Sequence, residues 1–167
     1  NFGIIYGMSP YGLSRDLGIE PQKAKEFIDS YFNRYSKVRV YLDEQINFAR
    51  KYGFVKTIFN RRRYIHDILS TNIQVRQFAE RTAINMPIQG SAADIIKLAM
   101  IKIHEAIEGE KLNCRLILQV HDELVFDCRK DSVKDSQIII KEIMEGVIEL
   151  KVPIKVSIKS GDNWLGA

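Results

Sequence analysis

A short charged break between two apolar runs constrains this chain more than any other feature. The break, His121-Asp122-Glu123, lies at the centre of the segment Leu116–Asp127. Strand-forming runs on both sides of a charged break predict an antiparallel hairpin that carries two acids at its tip. Adjacent carboxylates repel, and a divalent cation that compensates their charge stabilises them. Because hard oxygen ligands suit magnesium or manganese better than zinc, the hairpin predicts a metal-assisted reaction on phosphate. A solvated turn with two surface acids gives the same pattern.

The distribution of charge says more than the mild net charge of +4. The segment Arg50–Arg63 contains six basic residues and no acid, and it ends in the consecutive residues Arg61, Arg62 and Arg63. Arginine forks of this kind suit phosphate oxygens, so the segment predicts contact with a nucleic-acid backbone. A basic turn that only aids solubility is the alternative.

Composition and cysteine content indicate an ordinary globular protein. The chain has 167 residues, of which 46% are hydrophobic and 28% charged, enough for one domain with a real core. Cys114 and Cys128 lie at the outer ends of the predicted hairpin, where a disulfide is conceivable. Because no signal peptide or membrane-length apolar run accompanies them, we expect reduced thiols in an intracellular protein with no membrane contact.

The order of periodic segments predicts an α+β fold that is mostly helical. Ser9-Pro10 and Glu20-Pro21 are typical helix starts. We expect a long helix from about Asn72 that is interrupted at Pro87 and a further helix that begins at Gly90-Ser91. A last amphipathic helix is expected at 132–149, then a strand at 153–160 and a closing turn anchored by Trp164.

Two smaller patterns suggest contacts with nucleotides. Phe2 and Tyr6 lie four residues apart, so on a helix they share a face, as a base-stacking pair or as a packed helix end. Arg81, Asn85 and Gln89 repeat at intervals of four and form a polar row. Such residues can donate to the acceptors in the minor groove of a duplex, and they are equally ordinary on a solvated helix face.

Several motifs together resemble one family, the family A DNA polymerases of the bacterial DNA polymerase I type. Asn1–Gly7 is similar to the end of the family's fingers helix, and Arg81–Asp94 resembles its primer–template-contacting segment. Gln119–Glu123 resembles palm motif C, and Gly161–Trp164 resembles the carboxy terminus. The likeness covers the chain from its first residue to its last.

This resemblance implies a role for each matching residue in DNA synthesis by a two-metal mechanism. Asp122 would be a palm carboxylate that bridges two magnesium ions, with manganese as the substitute, and Glu123 a nearby acid. The other implied positions are His121 at the primer terminus, Phe2 and Tyr6 at the incoming dNTP and templating base, Arg81, Asn85 and Gln89 on the primer–template duplex, and Arg61, Arg62 and Arg63 near its backbone. Phe2 in place of tyrosine would discriminate against dideoxynucleotides.

The resemblance also implies parts that this sequence does not contain. Residues 1–52 would be a fingers portion and residues 53–167 the remaining fingers and palm. The family's first palm aspartate, and the arginine and lysine that hold the triphosphate, would come from an upstream segment in the same or a complementary chain, together with the thumb. We therefore expect the 167-residue chain alone to be inactive. We expect the enzyme to which it belongs to be intracellular, in the cytoplasm, the nucleoid or an organelle. The alternatives are a duplex-DNA-binding module without catalysis and a metal-dependent nuclease.

Overall fold

The structure, a computed structural model, describes the backbone of residues 2–166 and their side chains except those of Phe2 and Leu165. These residues form two compact units, which divide after Ser91. Helices dominate and two separate two-stranded antiparallel sheets accompany them, which confirms the predicted α+β class.

The first unit consists of helices and one short hairpin. Its helices are α1 (Phe2–Ile5), α2 (Pro10–Leu17), α3 (Pro21–Arg34), α4 (Ser36–Tyr52) and the first half of α5 (Ile73–Glu108), and its strands are β1 (Phe54–Lys56) and β2 (Arg62–Tyr64), followed by a 3₁₀ turn (His66–Leu69).

The ends of these helices follow from local sequence chemistry. Ser9 Oγ accepts the Gly12 N–H at 3.1 Å, and Pro10 occupies the first position of α2, as its fixed φ favours. Gly18 and Gly53 adopt left-handed conformations at the ends of α2 and α4. The predicted starts at Pro10 and Pro21 are therefore confirmed.

A small core fixes the β1–β2 hairpin against the helices. Val55 and Ala49 are fully buried, and Ile65 and Ala83 complete their surroundings with Ile68, Ala79 and Met86. The two strands are short, and residues 54, 55 and 56 face 64, 63 and 62. The core holds β1 from one side, so the arginines of β2 are left exposed.

The structure contradicts the predicted interruption at Pro87. α5 is a single helix of 36 residues that passes through Pro87, and no second helix begins at Gly90. A proline inside a helix loses one backbone hydrogen bond and conflicts with the preceding turn. Here packing outweighs that penalty, because Ala83 and Met86 lie in the core and Pro87 itself is buried.

The second unit contains the rest of α5 and the hairpin of β3 (Cys114–Val120) and β4 (Glu123–Cys128), followed by α6 (Val133–Glu145). Ile103, Leu112 and Ile140 form its buried centre, and Leu124 and Phe126 pack against it from one face of the hairpin. The predicted hairpin is confirmed. Its charged turn lies at the end opposite to the first residue of β3 and the last residue of β4.

Three expectations for the carboxy-terminal part are wrong. α6 ends at Glu145, because Gly146 follows and disfavours further helix. Residues 153–160 form no strand: the N–H of Val156 donates to the carboxylate of Glu145 at 2.9 Å, and no neighbouring strand in the described chain pairs with them. Trp164 begins a 3₁₀ turn and is 57% exposed, so it does not anchor the end of the chain.

Among residues 2–166, no helix combines the length and the apolar character that crossing a membrane requires.

Candidate nucleic-acid and metal site

The hairpin turn of the second unit presents the two adjacent acids. Val120 pairs with Glu123, so His121 and Asp122 alone form the turn between the strands. His121 has a φ of 54°, a left-handed conformation that histidine adopts more readily than most residues. The side-chain amide of Gln119 donates to the His121 carbonyl at 2.9 Å. This bond and the strand pairing hold Asp122 at the tip in one backbone conformation.

The two carboxylates have the chemistry of a site for a hard divalent cation. Asp122 and Glu123 are exposed, and within the described residues neither forms a salt bridge or side-chain hydrogen bond. Their oxygens are therefore available to magnesium or manganese, which prefer oxygen ligands. No cluster of three or more His, Cys, Asp or Glu side chains that could hold a metal occurs within residues 2–166. The turn thus supplies two carboxylates of a cation site, and further ligands would have to come from another segment or the substrate.

A β-bulge shapes the strand that leads into this turn. The pairing moves from Leu116 with Phe126 to Leu118 with Val125, so Ile117 is one extra residue in β3. A bulge reverses the face on which the following side chains lie and increases the local twist. It therefore determines the direction of the residues that precede the acidic turn.

In the first unit, the β1–β2 hairpin lines an open cavity, which we call the arginine cavity. Arg61, Arg62 and Arg63 surround about 340 Å³, together with Gln89 of α5 and with Met86 and Gly90. The guanidinium of Arg61 donates to the Gly90 carbonyl at 3.1 Å, and that of Arg62 lies 4.7 Å from the centre of the Phe54 ring. The cavity is thus lined by fixed cations on one wall and an amide on the other, which suits an anionic polymer.

Buried polar groups hold in place the loop between β1 and β2, which we call the arginine loop. Thr57 is buried, and its Oγ1 accepts the N–H groups of Phe59 and Arg61 at 3.3 and 3.2 Å. Ser91 Oγ accepts the N–H of Ile58 at 3.0 Å, which ties the loop to α5. These bonds fix the backbone of the loop, and the side chains of Arg61, Arg62 and Arg63 are exposed on it.

The predicted polar row lies on one continuous helix, α5, so its three residues keep their helical spacing. Arg81, Asn85 and Gln89 follow one another at about 6 Å along one side of the helix. Arg81 and Gln89 are exposed, whereas Asn85 is half-buried and its Oδ1 is a buried acceptor without a hydrogen-bond partner. Buried acceptors are usually satisfied by protein groups or by ordered water.

Of the amino-terminal aromatic pair, Tyr6 lies outside α1. α1 ends at Ile5, and Tyr6 is half-buried in the turn that follows. The side chain of Phe2 lies outside the described residues. Gly7 has a φ of 82°, and an added Cβ there would lie 3.2 Å from Cγ of Arg81. The structure therefore brings the turn after Tyr6 against the Arg81 end of the polar row.

Sequence patterns did not indicate how three residues support these sites. Gln119 orients the turn, Thr57 supports the arginine loop, and Gly90 accepts the hydrogen bond from Arg61. Gln119 and Gly90 lie within motifs that the sequence analysis describes, but their hydrogen bonds follow from no periodicity, and neither do those of Thr57.

A single methyl group added at Gly90 should disturb the arginine cavity. A Cβ there would lie 2.8 Å from Thr57 Cγ2 and 3.0 Å from Met86 Cε. We expect Gly90→Ala to lower the free energy of unfolding by about 1–3 kcal/mol, because α5 and the loop must separate. Chemical denaturation measures this, with Gln89→Ala on the exposed side as control, expected within about 0.5 kcal/mol of wild type. Equal stability of the two variants would contradict the tight packing.

The sequence is similar to one protein family along nearly its whole length. The family model "DNA polymerase family A" matches residues 1–166. The chain is 54% identical to DNA polymerase I of Caldicellulosiruptor bescii over 167 residues and 47% identical to DNA polymerase I of Bacillus subtilis. The match covers 98% and 100% of this chain, respectively. The chain spans about a fifth of the length of these relatives, 19% in each case.

A solved structure is also similar. It is the POL domain of Pol1 from M. smegmatis, in complex with a DNA primer-template and a dNTP. The TM-score is 0.90 at 45% sequence identity, and the match covers 93% of this chain and 28% of that chain.

Proposed function

The chain belongs to DNA polymerase family A, and on that basis we propose that its protein carries out template-directed DNA synthesis. The reaction is nucleotidyl transfer from a dNTP to a primer 3′-hydroxyl on a primer–template duplex. The observation that carries the proposal is the turn formed by His121 and Asp122, which exposes the adjacent carboxylates of Asp122 and Glu123. We assign residues 1–52 to the fingers and residues 53–167 to the remaining fingers and the palm.

The carboxylates of Asp122 and Glu123 would hold magnesium or manganese in this reaction. When bound, divalent cations lower the pKa of an attacking hydroxyl and neutralise charge that develops on a phosphate. Asp122 is the principal ligand in this assignment, since it lies at the tip of the turn, and Glu123 supports it from the first position of β4. His121 precedes Asp122 in the same turn, where it would contact the primer end.

Residues of the first unit would bind the duplex. Arg61, Arg62 and Arg63 carry permanent charge on a loop that buried hydrogen bonds hold rigid, so they would contact phosphates without losing much conformational entropy. Arg81, Asn85 and Gln89 would hydrogen-bond to the minor groove, whose acceptors occur at every base pair. Phe2 and Tyr6 would contact the incoming nucleotide.

We further propose that the 167-residue chain does not polymerise DNA by itself. Two adjacent carboxylates do not complete a two-metal site, and the described residues contain no larger acidic or histidine cluster. The missing ligands, the triphosphate-binding residues and the thumb would belong to an upstream segment in the same or a complementary chain. The bacterial relatives suggest an intracellular site of action, in the cytoplasm or nucleoid.

Magnesium-dependent primer extension tests this proposal. The chain is assayed alone and after mixing with a polypeptide that supplies the thumb, the first palm strand and the start of the fingers helix. We expect extension only in the mixture, and its loss when a chelator removes magnesium. Extension by the chain alone would contradict the proposed incomplete site.

A second candidate function is duplex binding without catalysis, which the rigid arginine cavity favours. Duplex binding that weakens with salt, together with no extension in either assay, would support this candidate over the first.

A further inference from the structure

The two cysteines of the chain face each other across the hairpin that carries the acidic turn. Cys114 and Cys128 are paired residues in β3 and β4, and both are free thiols that are half-buried. They are the only cysteines in the sequence. The proposed polymerase function uses neither of them.

The strand register makes this pair suitable for a disulfide. One step beyond it, the N–H of Arg129 donates to the carbonyl of Asn113 at 3.5 Å, so those two residues form a hydrogen-bonded pair. Because the two kinds of pair alternate along an antiparallel ladder, Cys114 and Cys128 occupy a non-hydrogen-bonded position. Cα atoms at such a position are about 4.5 Å apart and the side chains are close. Disulfides span Cα separations of about 4.4–6.8 Å, so a pair in this register lies within the range that a disulfide bridges.

We propose that Cys114 and Cys128 are a modification site, at which a low-molecular-weight disulfide oxidises them to a reversible disulfide that clamps the open end of the β3–β4 hairpin. One cysteine thiolate attacks a sulfur of the small disulfide and displaces one small thiol. The second cysteine then attacks the first and displaces the other small thiol. Two protein thiols and one small disulfide thus give one protein disulfide and two small thiols, with two electrons transferred.

The surroundings of the pair bear on its reactivity. Burial raises the pKa of the Cys114 thiol to about 11, and the adjacent Cys128 contributes to the rise. A raised pKa leaves little Cys114 thiolate at neutral pH, which slows disulfide exchange at this thiol.

The clamp would act on the register of the hairpin. It lies at the end of the hairpin opposite to Asp122, and the bulge at Ile117 lies between the two. A slip of one residue would move every side chain of a strand to the other face, including those that lead to the turn. Oxidation therefore locks the register, and reduction releases it. Disulfides in intracellular proteins are usually transient and redox-responsive, in keeping with a reversible clamp.

Intact-mass measurement after oxidation tests the proposal on the full 167-residue chain. The chain is treated with oxidised glutathione, and remaining thiols are blocked with a maleimide. We expect a monomer about 2 Da lighter that takes up no maleimide, whereas the reduced chain takes up two. A chain that retains two free thiols, one that keeps bound glutathione as the end product, or a disulfide-linked dimer would each overturn the proposal.

Thermal unfolding shows whether the bond clamps the hairpin. Closing the loop between the two cysteines should raise Tm by about 5 °C, and dithiothreitol should reverse the rise. Cys128→Ser, or Cys128→Ala should the serine variant not fold, removes the partner thiol, and its Tm should not respond to the oxidant. An unchanged Tm in the oxidised wild-type chain would overturn the clamp. Neither measurement depends on polymerase activity.

Discussion

Replacing Asp122 by asparagine should reduce primer extension in the reconstituted mixture at least about a thousandfold. Asparagine keeps the size of the side chain and can occupy the same turn, so the hairpin should fold as before. It lacks the negative charge that would hold a divalent cation, and each 1.36 kcal/mol of lost transition-state stabilisation is about tenfold in rate. Single-nucleotide extension, followed at saturating primer–template and dNTP, measures the loss.

Asp127→Asn is the matched control for this substitution. Asp127 lies on the same strand as Glu123, is exposed, and pairs across the hairpin with Arg115. Both variants lose one negative charge from the hairpin, but only one loses it from the turn. We expect Asp127→Asn to extend primers within about threefold of wild type and Glu123→Gln to fall between the two. If Asp127→Asn reduced primer extension as much as Asp122→Asn does, the cation site would not lie at the turn.

Duplex binding separates a catalytic defect from a structural one. Asp122→Asn should bind primer–template at least as tightly as wild type, because removing a negative charge does not weaken attraction to phosphate. If binding and extension fell together, the turn would be serving the fold or the DNA contact rather than the chemistry.

Local chemistry was sufficient to predict much of the helical part from the sequence. Pro10 starts α2 behind the cap of Ser9, and Pro21 starts α3, because capping and the fixed φ of proline depend only on neighbouring residues. The β3–β4 hairpin was equally predictable, since two apolar strands flank a turn of two residues.

Predictions failed where distant contacts decide the outcome. Local rules interrupt a helix at Pro87, yet core packing of Ala83 and Met86 carries α5 through it. Residues 153–160 have strand-like composition but lack a paired neighbour in the described chain. The bond from the Ile58 N–H to Ser91 Oγ joins residues 33 positions apart, so no local spacing in the sequence reveals it.

Neutralising the arginine loop should give the second large effect. Replacing Arg61, Arg62 and Arg63 together by glutamine should weaken duplex binding by about a hundredfold at 0.1 M salt. Each phosphate contact contributes about 0.9 to the slope of log affinity against log salt concentration, so the slope should decrease by about 2 to 3. Glutamine retains hydrogen-bonding capacity, and the buried hydroxyl of Thr57 still holds the loop backbone. Titration of labelled duplex at several salt concentrations measures both quantities.

The control for this substitution removes the same charge elsewhere in the first unit. Lys23, Lys25 and Lys37 are exposed on α3 and α4, and their replacement by glutamine lowers the net charge equally. If general electrostatic attraction governed binding, both triple variants would lose affinity and slope alike. If the rigid loop contacts phosphates directly, only the arginine variant should change its slope, because counterions are released only where side chains touch the backbone. A common slope for both variants would therefore refute the proposed role of the arginine cavity, whatever the catalytic turn does.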